Sequence, residues 1–200
     1  MKKMSQEKLN RVLQQHELWV ESGGRQGERA DLSNADLFGV NLSHVNLSRT
    51  DLSRANLSGA DLSHTDLSRA NVYHADLSDA LLSHATLTGA NMYHADLSNA
   101  WAPGANLSDA NLTHADLTRA DLSDANLSRA QLSGVSLSGA SLFHTNLTGA
   151  QISADTQLHQ CLVFKHLICS PDALPWLILH PKWSELKSTV TVVDDGDNQE

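Results

Sequence analysis

Asn71-Val72-Tyr73-His74-Ala75-Asp76-Leu77-Ser78-Asp79-Ala80 recurs twenty residues on as Asn91-Met92-Tyr93-His94-Ala95-Asp96-Leu97-Ser98-Asn99-Ala100, identical at eight of ten places. A shorter echo runs inside it. Ala75-Asp76-Leu77-Ser78-Asp79 is one copy of a phrase (Ala, Asp or Asn, Leu, Ser, then a variable residue) that continues without a gap from Ala30 to Ala154. Of the twenty-five phrases, nineteen begin with Ala and six with Val or Thr, and the third position is Leu in all but Val72, Met92, Ala102 and Ile152. A period kept this strictly is architecture, not compositional bias.

A period of five discriminates between shapes. In an α-helix five residues advance about 140° past a full turn, so the leucines would spiral over every side and leave no polar face. In a straight strand an odd period sends successive leucines to opposite faces. If the chain instead turns a corner once per phrase, every Leu points to one inside, the small first residue beside it, with the Asp/Asn and Ser/Thr groups outside or in the corner. The echo at twenty residues then sets four phrases to a coil. Roughly six coils at the strand spacing of ~4.8 Å make a rod ~30 Å long.

The Ala-Asp/Asn-Leu-Ser-x phrase, over about five-eighths of the chain, resembles the pentapeptide-repeat family. That resemblance implies an all-β solenoid, a right-handed quadrilateral β-helix. The expected division is a helical cap and lead-in over 1–29, the repeats over 30–154, a hydrophobic cap or dimerisation segment over 155–187, and a mobile acidic tail over 188–200. In the cap, Leu9, Val12, Leu13, His16, Trp19 and Val20 share a helical face, with Ser5 as N-cap and Gly23-Gly24 as the stop. An open-ended stack needs such covers, because a bare edge invites pairing. At the other end Leu158, Leu162, Val163, Phe164, Leu167 and Ile168, then Leu174 to Leu179 and Trp183, supply apolar matter for a monomeric cap or an end-to-end homodimer.

Composition excludes several functions. Cys161 and Cys169 are the only cysteines, both after the repeats, so no disulfide framework is expected. Nothing reads as a signal peptide or a membrane span, which makes the cytoplasm the default location, and the family resemblance implies a bacterial one. Leu and Ala fill the coil interior and leave no substrate cavity. No phosphate loop, nucleophile elbow or paired carboxylate set is present, so no enzyme and no cofactor are expected. His159, Cys161, His166, Cys169 and His180 match no compact metal-ligand spacing. The repeats from Asp31 to Ala150 carry twelve Asp and five Arg, net −7 of the chain's −9, which argues against binding nucleic acid.

Function is therefore sought in exceptions on the outside. The second position is Asp or Asn in eighteen phrases, suited to bonding the backbone at a corner. Leu81 and Trp101 break the rule one coil apart, with Pro103 beside them and Ala102 in place of a core Leu. They form a candidate contact patch for a protein partner, or Trp101 covers the space above Ala102. All seven repeat histidines take the variable fifth position, in the columns His44/His64/His84 and His74/His94/His114, with His144 farther along the first. The second column is flanked by Tyr73 and Tyr93 and by Asp76, Asp96 and Asp116, a candidate pH-responsive or metal-tolerant ladder. With Asp36 and Asp79 those aspartates make the most acidic face. The family resemblance gives that face a second meaning, since some members mimic DNA to occupy gyrase-type topoisomerases and protect them. The phrase departs from those members in its central Leu, uninterrupted repeats and short length.

Overall fold

The computed structural model describes residues 2–153, 155–156, 161, 167–169, 171–179 and 183–193. Each phrase makes one turn. The N–H of a first-position residue donates to the carbonyl of the core residue three places earlier, as Ala75 does to Val72 (3.1 Å) and Ala80 to Leu77 (3.1 Å). The fifth residue is the third of that turn, and from Asn34 to Gly149 it always lies in the left-handed region, with φ between 53° and 72°. The preceding residue never does, which matches a type II turn. The second residue fixes the corner from outside: Oδ1 accepts the N–H two residues on, from Ser33 to Asp31 (3.0 Å), Ser53 to Asp51 (2.9 Å) and Ser98 to Asp96 (2.9 Å).

Stacking follows from the same register. Parallel bridges join second-position residues twenty apart, from Asp31 with Asp51 to Gln131 with Gln151, and core N–H groups donate to the next coil, Leu77 to Asp96 (2.6 Å) and Leu97 to Asp116 (2.7 Å). The chain thus completes a circuit every twenty residues with four turns in each. Third-position side chains are buried from Leu32 to Leu147, and most first-position ones with them. Where Thr replaces Ala, its hydroxyl finds a partner: Thr65 donates to the Leu42 carbonyl (2.7 Å), Thr145 to the Leu122 carbonyl (2.8 Å), and Thr50 pairs with His16. Among the described residues no buried side-chain polar atom lacks a partner, as a low-dielectric interior requires.

At the start of the chain, strand β1 (Lys2–Lys3) pairs parallel with β2 (Ala35–Asp36), and helix α1 (Gln6–Glu21) follows Ser5, whose Oγ accepts the Lys8 N–H (3.3 Å). Leu9 is buried, with Val12 and Leu13 packed against the core. His16 is fully buried: its Nδ1 accepts the Ala30 N–H (3.2 Å), and Nε2 lies 3.1 Å from Thr50 Oγ1. The helix stops where expected, at Ser22 followed by Gly23 (φ 63°) and Gly24 (φ 87°). Gly27 lets the lead-in pass against α1, since a Cβ there would fall 2.1 Å from the Gln15 carbonyl oxygen.

Beyond the repeats the stacking continues with a changed spacing. Strand β3 (Asn146–Leu147) pairs parallel with β4 (Ile168–Cys169), and β4 with β5 (Thr191–Val192). Short helical turns fill the gap at Pro171–Ala173, Leu174–Leu177 and Trp183–Leu186. Leu167, Cys169, Ala173 and Leu177 are buried. One expectation needs correction: the tail assigned to 188–200 includes Thr191–Val192, which is paired, because its β-branched residues have a free parallel edge at β4 to complete. Leu158, Leu162, Val163, Phe164 and the acidic residues from Asp194 lie outside the described residues, as do His159, His166 and His180.

Candidate functional site

Leu81 and Trp101 are directly bridged on adjacent coils, with Asp61 below and Asp121 above in the same column. Both keep the outward register. Leu81 is 43% exposed and Trp101 51%, while the intervening core residue Leu82 is fully buried and Ala102 is 2% exposed. The Trp101 ring therefore lies on the outer surface, and its backbone keeps the ordinary bonds, Trp101 N–H to Ala80 (2.9 Å) and Ala102 N–H to Asp121 (2.9 Å). Pro103 closes the patch on one side, its carbonyl accepting the His84 N–H (3.0 Å). Next to it Gly104 gives the corner no side chain, and the His84 ring leans into that space, since a Cβ on Gly104 would sit 2.5 Å from His84 Nδ1. The flanking corners carry Asp79 and Asp124, so an apolar centre is rimmed by four carboxylates.

The histidine columns form as the twenty-residue register requires. Ring centroids are 4.8 Å apart for His44/His64, 5.2 Å for His64/His84, 4.8 Å for His74/His94 and 5.0 Å for His94/His114, all stacked near parallel. Tyr73 and Tyr93 stack at 5.8 Å, each meeting its neighbouring His edge-on at 4.4 Å. Partial desolvation, then the flanking His74 and His114 charges, hold His94 below the ordinary imidazole range. Every histidine of these columns is in the left-handed conformation, a region in which His, Asn and Asp are enriched. The fifth position is thus selected for backbone conformation as well as for polarity.

Asp76, Asp96 and Asp116 occupy consecutive coils, with Asn56 between Asp36 and Asp76. In each, Oδ1 is already committed to its own corner, accepting the N–H of Ser78 (3.0 Å), Ser98 (2.9 Å) or Thr118 (2.8 Å). Much of the acidic charge is therefore structural. Burial pushes the Cys161 thiol up to about 12 and the Cys169 thiol up to about 11, so neither is a thiolate at neutral pH. Among the described residues no group of His, Cys, Asp and Glu is disposed to hold a metal ion, and no helix is long and apolar enough to cross a membrane. Sequence reading overlooked Phe38, which is 71% exposed on the first coil. The signal was available: Phe38 departs from Ser at the fourth position, as Tyr73, Tyr93 and Pro103 do.

A profile of pentapeptide repeats, in eight copies, matches residues 30–69, 65–101, 90–129 and 120–154. The chain belongs to the pentapeptide-repeat family. Similar solved structures include HetL, a pentapeptide-repeat protein involved in heterocyst differentiation regulation from the cyanobacterium Nostoc, at 33% identity and TM-score 0.55, over 68% of this chain and 73% of that one. Rfr23 from the cyanobacterium Cyanothece matches at 27% identity and TM-score 0.51, over 74% of this chain and 97% of its own. QnrB1, a plasmid-mediated fluoroquinolone resistance protein, matches at 19% identity and TM-score 0.39, over 72% and 76%, a likeness too low to carry a functional argument. Comparison with curated protein sequences gave no significant match.

Proposed function

We propose that this chain is a non-enzymatic scaffold that engages a protein partner through the face bearing Leu81, Trp101 and Pro103. The observation that carries the reading is the adjacent exposed Leu and Trp in a column that is otherwise Asn41, Asp61, Asp121 and Ser141. Large apolar side chains at the centre of a polar surface are the usual anchors of an interface. The rim of Asp61, Asp79, Asp121 and Asp124 fits a partner whose apolar socket is bordered by Lys or Arg. Family membership supports the right-handed quadrilateral coil; the reading further takes the chain to work in a bacterial cytoplasm, as a monomer or as an end-to-end homodimer through residues 155–187.

The test is capture of partners from the native host with wild type and Trp101→Ala as baits, followed by affinity measurement on Leu81→Ala/Trp101→Ala. An interface centre gives an unchanged melt and a loss above ~2 kcal/mol in affinity. A double variant that melts and binds normally ends this reading and moves attention to the columns His74-Ala75-Asp76, His94-Ala95-Asp96 and His114-Ala115-Asp116. The acidic column Asp76/Asp96/Asp116 supports one second reading, mimicry of DNA toward a gyrase-type topoisomerase. A supercoiling assay separates the two: inhibition or drug protection at submicromolar protein favours mimicry, and indifference favours the scaffold.

A further inference from the structure

Where α1 ends, its last turn and the coils beside it enclose an open cleft of about 680 Å³, with Trp19 and Val20 on the helix side and Ser48, Arg49, Ser68 and Arg69 on the coil side. Arg49 and Arg69 are stacked corner residues one coil apart, and neither guanidinium has a hydrogen-bond or ion-pair partner among the described residues. The same corner column shows what an Arg does when a carboxylate is within reach. Three coils beyond Arg69, Arg129 forks onto Asp109, Nε to Oδ1 at 2.8 Å and Nη2 to Oδ2 at 2.8 Å. Positions 49, 69 and 89 are Arg, Arg and Gly, so the cap end of the column holds two like charges and no acid. Among the described residues no Asp or Glu lines the cleft, in a chain of net charge −9. Its volume is that of a small-molecule site.

We propose that this cleft binds a phosphate monoester with a flat organic body: Arg49 and Arg69 take the phosphate, and Trp19 and Val20 form the wall for the body. Guanidinium forks match phosphate oxygens in charge and geometry, and an anion held between two Arg side chains on adjacent coils offsets their like charge. An indole adds an aromatic face or edge for a planar ring. The site lies away from the Leu81/Trp101 face, so it stands or falls independently of the scaffold reading.

Calorimetric titration of the full chain with AMP, inorganic phosphate and adenosine tests it. The expected result is saturable AMP binding that weakens with salt, tighter than inorganic phosphate, and no heat from adenosine. Arg49→Gln and Arg69→Gln should each weaken AMP about ten- to a hundredfold, the scale of a lost charge-assisted hydrogen bond. Arg119→Gln, on another corner, should leave it unchanged. Both Arg side chains are exposed, so the variants are expected to melt like wild type. Equal affinity for AMP and inorganic phosphate overturns the assignment of the organic body. Absence of AMP binding at millimolar concentration, or an equal loss in Arg119→Gln, overturns the site.

Discussion

Replacing Gly59 and Gly104 by Ala, one at a time, measures how far the corner histidines reach along the rod. Both glycines are in the left-handed region, at φ 62° and 65°, but a Cβ on Gly59 meets nothing within 4 Å, whereas one on Gly104 falls 2.5 Å from Nδ1 and 2.7 Å from Cε1 of His84. Gly59→Ala should therefore cost only the left-handed penalty of an L-residue, about 1–2 kcal/mol. Gly104→Ala should cost that plus displacement of the His84 ring from its seat, a further 0.5–1.5 kcal/mol or about that if the ring is driven off its rotamer. In a His84→Ala background the surplus should vanish and the two alanines should cost the same. Urea unfolding followed by circular dichroism provides the four free energies, and the coupling is their double difference. Equal losses at Gly59 and Gly104, or a surplus that persists without His84, would refute the leaning-ring geometry. The His114/Gly134 pair, with a would-be Cβ 2.3 Å from His114 Nδ1, offers a repeat of the experiment on the other column.

Leu97 is 1% exposed, so Leu97→Asp should be strongly destabilising by burying an unpaired carboxylate, while Ser98→Asp, on the surface, should melt nearly as wild type. His16 is held below the ordinary imidazole range, chiefly by burial; the folded chain then binds this proton more weakly than the unfolded one, so stability should rise with pH and fall as pH drops below about 6.5. That acid loss should shrink in His16→Asn, read from melts across pH 5 to 8. With thiols raised to about 12 and about 11, Cys161 and Cys169 should resist a thiol reagent at pH 8 in the native state and react once denatured; rapid native labelling would contradict their burial.

The repeats were legible because one residue type had to satisfy one geometric demand at a fixed spacing: Leu inside, Asp or Asn at the corner, small residues between. The N-terminal helix was legible through Leu9, His16 and the Gly23-Gly24 stop. What escaped were features set by backbone conformation or by distant pairing. The fifth position reads as freely variable, yet it must adopt positive φ, and His, Asn, Asp and Gly fill nineteen of its twenty-four places from Asn34 to Gly149, Arg the other five. Thr191 and Val192 looked like the start of a tail because their pairing partner, the strand at Ile168 and Cys169, follows no repeat. The open position of Trp101 was likewise undetermined, since a Trp beside a core Ala satisfies the sequence pattern whether the ring turns in or out. The Arg49/Arg69 cleft depends on where α1 ends against the coils, which no spacing in the sequence states.

Because each corner takes one phrase and each circuit takes four, inserted length acts on this molecule as rotation. Five extra residues between Leu81 and Trp101 would preserve every inward Leu while carrying Trp101 a quarter-turn onto the neighbouring side, and the two would no longer meet. Twenty extra residues would restore the alignment but separate the pair by one more coil. A surface site on such a rod can therefore be created, divided or moved by gain and loss of whole phrases without disturbing the interior, so its address is a number of phrases rather than a set of loops.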